Sequence, residues 1–555
     1  MKKPIETIKI YQYFTLLLVL IFFLIKSYLI LNNSIDTERG DASAYFYYGI
    51  LGLEKFNDIK EWLNIHPPLS SISSAAVYNI YEIFRFGGII SYVKFALLVN
   101  TTIYLSSSWI VYLLVKKLFN INIGLITVLL FSSAGLIQIY TLNGSAENYA
   151  LIYFLLSLYF FIDYFDNKKI IYIIFSSFML LLASMCRTEV LIIVPVVIIF
   201  IWLRGSLFHS ILFGVIAGLF EVFKVTMKYL IYDGSIVGYE NMGKIWGVNS
   251  KSIGELLFNN DTLDYFLYSF NPYFSVAIFI YALFLISKKE YKVFIYLFIF
   301  MALILTYFQY SGRIVTNARY AFFPIILFVF VIASVFHHLF TKYKINIKNY
   351  RYIFLFIVVL SVVNFYKAVE EKTTRVPKSI VNSRVWLENN LEKDDYILLD
   401  YVNYWSLNFR LYLQAKFSEN GHHTPHWYYY AIGNSYITKK QNYGIARDKD
   451  LYKYFDNDRI DKILESPYIK TTSPDFRLKQ KIVAELFIKD KKPKYFLIPK
   501  KVFQRHDKYS YIRDKMVPMN GKFFVKLKFL DFKFILSKKF ENGGFTVYEA
   551  NYEKS

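Results

Sequence analysis

The chain has 555 residues, 55% of them hydrophobic and 20% aromatic, and a formal net charge of +22. Its mean hydropathy is +0.33 although the last third is visibly polar, which argues against a single soluble domain. The excess of Lys and Arg gathers at the ends of apolar runs and across the tail. No folded basic stripe is expected, so nucleic acid is excluded as a partner, and anionic lipid headgroups or glycolipids account for the charge. Cys186 is the single cysteine, so no intrachain disulfide forms.

In chain order, Lys2, Lys3 and Lys9 precede a first apolar run, 11–32, with no small-residue cleavage site after it. That pattern predicts an uncleaved signal anchor with a cytoplasmic amino terminus. Further apolar runs follow at 68–86, 92–115, 121–141, 148–165, 170–185, 188–203, 208–231, 273–287, 291–310, 318–341 and 352–368. Runs of about 20 residues match the roughly 30 Å of hydrocarbon they must cross.

If all twelve runs cross, the pairs Lys116–Lys117 and Lys168–Lys169 fall outside the cell, against the positive-inside rule. If 68–86 instead lies along the outer leaflet or dips into it, every later assignment flips. Then Lys116, Lys117, Lys168, Lys169, Arg204, Lys288, Lys289, Lys292, Lys342, Lys344, Lys348 and Arg351 all face the cytoplasm. The expectation is a polytopic α-helical domain over 1–369 with eleven spans and a juxtamembrane helix. The segments 33–91, 142–147, 186–188, 232–272 and 311–319, and everything after 369, then face outward. The tail, 370–555, is expected to be a separate α/β domain, with a helix near 385–391 and strands near 396–399, 494–499, 523–536 and 545–549.

The first outer loop reads Asp36-Thr37-Glu38-Arg39-Gly40-Asp41, with Tyr45 four residues on, where a helix would put both on one face. A carboxylate such as Asp41 near the membrane surface has the chemistry to take a proton from an acceptor hydroxyl. The alternative is a set of solvated loop acids. Next comes Asn64-Ile65-His66-Pro67-Pro68-Leu69; the prolines end what precedes them, and Pro68 suits the first turn of a helix. His66 is then either a surface group close to an incoming phosphate or a histidine placed by a turn.

This combination resembles the GT-C glycosyltransferases, most closely the branch of protein O-mannosyltransferases and aminoarabinose transferases. Its marks are an acid-x-x-x-Tyr in the first outer loop and, after some 20 residues, His-Pro-Pro-Leu opening an apolar helix. The resemblance covers roughly 10–340 and implies a GT-C membrane fold, with Asp41 as the catalytic acid residue. It also implies a juxtamembrane helix after the Pro-Pro pair, as the charge argument requires.

Looser matches follow. Glu147-Asn148-Tyr149-Ala150-Leu151 stands where the family often has Arg-Pro-Tyr-Ala-Leu. Glu147 is accordingly either a second acid near the donor sugar or a helix cap favoured by the amino-terminal dipole. Arg187, beside Thr188 and Glu189, sits where the family often carries a basic residue; the alternative is an ion pair with Glu189 or a snorkelling arginine. Asn317-Ala318-Arg319-Tyr320 resembles the family's Arg-Tyr entry to a late span. There a guanidinium can hold a lipid phosphate through paired hydrogen bonds, with Arg313 as a neighbouring candidate, or simply anchor the span boundary.

What the resemblance implies is a transferase of the cell membrane that takes a sugar from a polyprenyl-phosphate carrier. The acceptor is a glycan, a lipid or a protein outside the cytoplasm. Asp41 and Glu147 are the expected catalytic residues; Tyr45, His66, Arg187, Arg313 and Arg319 are the expected substrate-binding ones. No cofactor is required, although a divalent metal assists some relatives and not others, and no protein metal ligands are assigned. His422-His423-Thr424-Pro425-His426 lacks acids or cysteines at ligand spacing and reads as a surface loop. The absence of a Gly-rich phosphate loop argues against a nucleotide donor. Two rival readings remain, a lipid-linked glycan transporter or flippase, and a glycan polymerase or ligase. The first would show repeats and broken helices, and the second would place its functional loop in mid-chain.

Overall fold

A computed structural model describes residues 2–32, 68–84, 92–142, 146–231, 322–345 and 347–374, and shorter pieces at 277–278, 280–282, 298–299 and 301. Beyond 374 it describes 386, 390, 397–399, 428–429, 488–489, 492–499, 512, 515–527, 533–542 and 545–552. The chain divides into two compact units, Met1–Thr373 and Thr374–Ser555.

The first unit is helical. Its described helices are α1 (Lys2–Leu31), α2 (Pro68–Phe84), α3 (Tyr92–Leu118), α4 (Ile121–Ser133), α5 (Gly135–Thr141) and α6 (Ala146–Asn167). They continue with α7 (Ile170–Cys186), a 3-10 turn at Thr188–Ile193, α8 (Val194–Arg204), α9 (Leu207–Ile231), α10 (Phe322–Lys342) and α11 (Ile347–Thr374). Among the described residues five helices are long and apolar enough to cross a membrane, or six if α4 and α5 form one bent span. Apolar side chains stand on the outside of α1, α9 and α11, with Tyr13 at 71%, Leu219 at 58% and Tyr352 at 68% exposure, the surface that lipid covers. These features make the chain an integral membrane protein.

Local chemistry sets the helix ends. Lys116 and Lys117 fill the last turn of α3, where cations complement the helix dipole. Asn120 then caps α4, accepting a hydrogen bond from the Ile123 backbone N–H at 3.0 Å. The single apolar run expected at 121–141 is instead broken at Ala134, whose ψ of 124° is extended, and α5 leaves α4 at 57°. The run expected at 188–203 likewise opens as a 3-10 turn before α8 begins, with Pro195 in its first turn. Between α6 and α7 the chain reverses through Lys168, which takes a left-handed φ of 56°.

Packing between these helices rests on shape and interhelical polar contacts, since lipid removes most of the hydrophobic drive between spans. Ser157 of α6 and Ser176 of α7 each donate to the other's carbonyl, at 2.8 and 2.9 Å. Helix α10 lies deepest, with every residue from Phe322 to Phe336 buried. The ring of Phe323 meets Phe154 of α6 edge-on at 5.3 Å.

Contacts define the two ends of the bundle. At one end Lys117 pairs with Asp163, Tyr164 bonds His209 at 2.8 Å, and Tyr350 donates to the Asn122 carbonyl at 3.1 Å. Phe119 packs on His337 and Tyr11 on Tyr350 at that same end. It carries Lys116, Lys117 and Lys168. At the opposite end Lys94, near the start of α3, donates to the carbonyl of Leu31, the last residue of α1, at 2.7 Å. The chain therefore leaves α1 and enters α3 at the same end of the bundle, so α3 runs antiparallel to α1.

In the second unit the described strands form one seven-stranded sheet. They are β1 (Ile397–Leu399), β2 (Tyr428–Tyr429), β3 (Tyr495–Pro499), β4 (Met516–Met519), β5 (Lys522–Lys526), β6 (Lys533–Asn542) and β7 (Phe545–Tyr552), in the order β2-β1-β3-β7-β6-β5-β4. The β1–β2 and β1–β3 pairs are parallel and the others antiparallel. The β4–β5 hairpin turns on Asn520 (φ 49°) and Gly521 (φ 74°), the Asn-Gly chemistry of a tight hairpin. The closing set of strands expected from 523–536 and 545–549 is β5, β6 and β7, with β5 and β6 paired through Phe523 and Leu536.

Candidate functional site

Of the seven residues singled out in the sequence, the described part contains Glu147 and Arg187. Asp41, Tyr45, His66, Arg313 and Arg319 lie outside the described residues, as do His422, His423 and His426.

Glu147 stands in the first turn of α6, where its carboxylate favours the amino-terminal dipole. Arg187 follows the last residue of α7 with an extended backbone (φ −149°, ψ 105°), which turns its side chain out of the α7 register. Its Nη2 lies 3.1 Å from Glu147 Oε1 and 3.1 Å from Glu189 Oε1. The side chains of Arg187, Glu147 and Glu189 are 7%, 4% and 17% exposed, so the cluster is shielded from bulk solvent. The ion pair between Arg187 and Glu189 is present, and Arg187 also reaches across to Glu147 in the first turn of α6.

The surroundings tie several elements to this cluster. Ser70, in the first turn of α2, donates to the Cys186 carbonyl at 3.3 Å. Tyr149, two residues beyond Glu147, is buried, and Tyr92 of α3 donates to the carbonyl of Ser74 of α2 at 3.2 Å. Asn148 Nδ2 donates to the Tyr140 carbonyl at 3.2 Å, fixing the end of α5 against the start of α6. The ring of Tyr140 meets Phe322, the first described residue of α10, at 5.8 Å. The cluster thus lies at the end of the bundle where α1 ends and α3 begins.

Sequence reading passed over one further charged group in this unit. Lys26 of α1 is fully buried, donates to Thr141 Oγ1 at 2.9 Å, and lies 3.4 Å above the ring of Tyr104. Its signal was available as a lone lysine inside an apolar run, a placement that is costly in a membrane. Asn148 Oδ1, Gln138 Oε1 and Asn100 Oδ1 have no hydrogen-bond partner among the described residues.

Residues 72–228 match the dolichyl-phosphate-mannose-protein mannosyltransferase family. No curated protein matches the chain by sequence. Among solved structures, the chain is similar to ArnT from Cupriavidus metallidurans in the apo state, with 11% identity, a TM-score of 0.46, and coverage of 71% of this chain and 84% of that one. The same protein bound to undecaprenyl phosphate gives 10%, 0.44, and 96% and 97%. The archaeal oligosaccharyltransferase AglB from Archaeoglobus fulgidus, in complex with an inhibitory peptide and a dolichol-phosphate, gives 11%, 0.48, and 88% and 69%. The stretch similar in sequence to the mannosyltransferase family therefore runs from the first turns of α2 into α9, and it includes both Glu147 and Arg187.

Proposed function

We propose that the chain is a glycosyltransferase that moves a sugar from a polyprenyl-phosphate carrier to an acceptor hydroxyl at the outer face of the membrane. The observation that carries this reading is the shielded Glu147–Arg187–Glu189 cluster, which lies within the stretch similar to mannosyltransferases. Charge supports the side. The bundle end opposite the cluster carries Lys116, Lys117 and Lys168, as a cytoplasmic end should.

In the proposed reaction Asp41 removes the proton from the acceptor hydroxyl while that oxygen attacks the anomeric carbon. The bond from that carbon to the phosphate oxygen breaks, and the lipid phosphate leaves with the electron pair. A single displacement of this kind inverts the anomeric centre. Stabilising the departing charge is the larger part of catalysis. The three-residue cluster carries +1 from Arg187 and −1 from each of Glu147 and Glu189, a net −1. The phosphate accordingly falls mainly to Arg319, with His66 and Arg313, while Arg187 orients the carboxylates at the donor.

The test uses membranes containing the full chain and a labelled polyprenyl-phosphate sugar. Asp41→Asn should abolish consumption of the carrier-linked sugar without lowering the amount of protein. Undiminished turnover in that variant would refute the assigned base, and a wild type that consumes no such donor would refute the reading as a whole.

A further inference from the structure

Lys26 lies five residues before the end of α1 and is among the largest fully buried side chains of the protein. Its Nζ donates to Thr141 Oγ1 at 2.9 Å and rests on the ring of Tyr104. Among the described residues no carboxylate is paired with it. A lysine at such depth is costly and persists where it does something. The proposed chemistry makes no use of it.

Its partners surround the break between α4 and α5. The Ser132 carbonyl, just before the bend, accepts from the Tyr104 hydroxyl at 2.5 Å and from Gln138 Nε2. Gln138 also donates to the Tyr104 oxygen at 3.0 Å. These side chains satisfy a carbonyl displaced from the helical ladder, as a broken span requires. Lys26 adds the hold from α1: its Nζ covers the face of Tyr104 and fastens α5 at its last residue, Thr141. The neighbouring Tyr140 carbonyl takes Asn148 Nδ2, and Asn148 follows Glu147, whose carboxylate meets Arg187. A continuous run of contacts thus joins Lys26 to the candidate site.

We infer that Lys26 is a positioning residue that holds the end of α5, and through it the start of α6, so that Glu147 meets Arg187. It touches no substrate. Only the consequence for turnover rests on the proposed function; the placement of the pair does not.

Cys186 supplies an independent readout. It is the single cysteine, it is fully buried, and it adjoins Arg187 and lies near Tyr149 and Tyr153 of α6. Loosening the start of α6 should expose its thiol. In the full chain in membranes, Lys26→Met should accelerate labelling of Cys186 by N-ethylmaleimide by about tenfold, the effect of losing a buried hydrogen bond on local opening. Thr141→Val, which removes the acceptor of Lys26 along with the hydroxyl's own bonds to the Ile137 and Gln138 carbonyls, should accelerate it in the same direction. Lys26→Arg, which keeps cation and donors, should label close to the wild-type rate. Tyr164→Phe, at the other end of the bundle, should leave the rate unchanged.

Wild-type labelling in both Lys26→Met and Thr141→Val would overturn the inference, as would equal acceleration by Tyr164→Phe. If Lys26→Met fails to accumulate, Thr141→Val alone decides the outcome by the same criterion. Turnover measured in parallel should fall in Lys26→Met and recover in Lys26→Arg. A wild type without turnover would overturn the proposed function and leave the labelling result standing.

Discussion

Replacing Arg187 by Met removes the only cation bonded to Glu147 in the described cluster and leaves Glu147 and Glu189 as neighbouring buried carboxylates. Each 3.1 Å contact corresponds to about 5 kcal/mol of attraction at an effective dielectric of about 20. Desolvation of three ions and repulsion between the two glutamates offset most of that sum. What survives as a measurable loss is the cost of stranding buried charge, about 3–5 kcal/mol. Exposures of 7%, 4% and 17% leave little room for water to screen it. Equilibrium unfolding in mixed micelles should therefore show Arg187→Met destabilised by that amount. Adding Glu147→Gln should recover about 1–3 kcal/mol, because the double variant buries one charge fewer. Arg187→Lys should lose less than Arg187→Met, since both contacts come from a single nitrogen. Strictly additive losses in the double variant, or wild-type stability in Arg187→Met, would refute the assignment of Arg187 as the charge that holds this corner.

Other perturbations test the packing around it. A Cβ on Gly205 would meet Tyr164 Oη at 2.6 Å and the Ile201 carbonyl at 2.9 Å, and Tyr164 is already tied to His209. Gly205→Ala should thus cost about 1–3 kcal/mol in the same unfolding assay. Gly218→Ala, within α9 and with nothing within 4 Å, should stabilise the chain by about 0.5–1 kcal/mol. In the sheet, burial raises the Tyr552 phenol above its ordinary value of 10.0, and burial raises Tyr548 as well. A phenol raised on folding contributes stability below the unfolded value and loses it as pH rises through the folded one. Thermal unfolding of the full chain should therefore weaken above about pH 10. Tyr552→Phe should flatten that alkaline decline while losing about 1 kcal/mol at neutral pH with its bond to the Pro493 carbonyl.

Long apolar periods were the legible part of the sequence. The runs at 11–32, 92–115, 148–165, 318–341 and 352–368 correspond to α1, α3, α6, α10 and α11, because hydrocarbon demands continuous apolar helices of about that length. Strands β3 and β7 were readable from KYFLIP and FTVYE, where β-branched and aromatic residues are concentrated. The break at Ala134 was not readable. No proline marks it, and the groups that satisfy the Ser132 carbonyl beside it, Tyr104 and Gln138, lie 28 and 6 residues from Ser132 in sequence. The same limit applied to the site. Arg187 and Glu189 suggest an ion pair by adjacency, whereas Glu147, 40 positions earlier, joins them through the packing of α6 on α7. Lys26 was visible as a letter but its meaning was not, because a lysine in an apolar run reads the same whether it snorkels or lies sealed against a tyrosine ring.

The bond from Lys94 to the Leu31 carbonyl bears on more than helix packing. It brings the start of α3 back to the end where α1 finishes, so every later helix runs opposite to what a crossing α2 would impose. Charge reached the same parity by another route, since only a non-crossing 68–86 places Lys116, Lys117, Lys168 and Lys169 together on the cytoplasmic side. The two arguments share no residue. One counts exposed cations, and the other follows a single hydrogen bond and the Ser70, Ser74 and Tyr92 contacts that seat α2 beside it. Their agreement places Glu147, Arg187 and Glu189 at the end opposite those lysines, where the proposed transfer requires its carboxylates to be. Glycosylation-site tagging of 143–145 against 116–120 decides the parity: modification of the first segment and not the second is the expected pattern, and the reverse would remove the outer-face reaction from this protein.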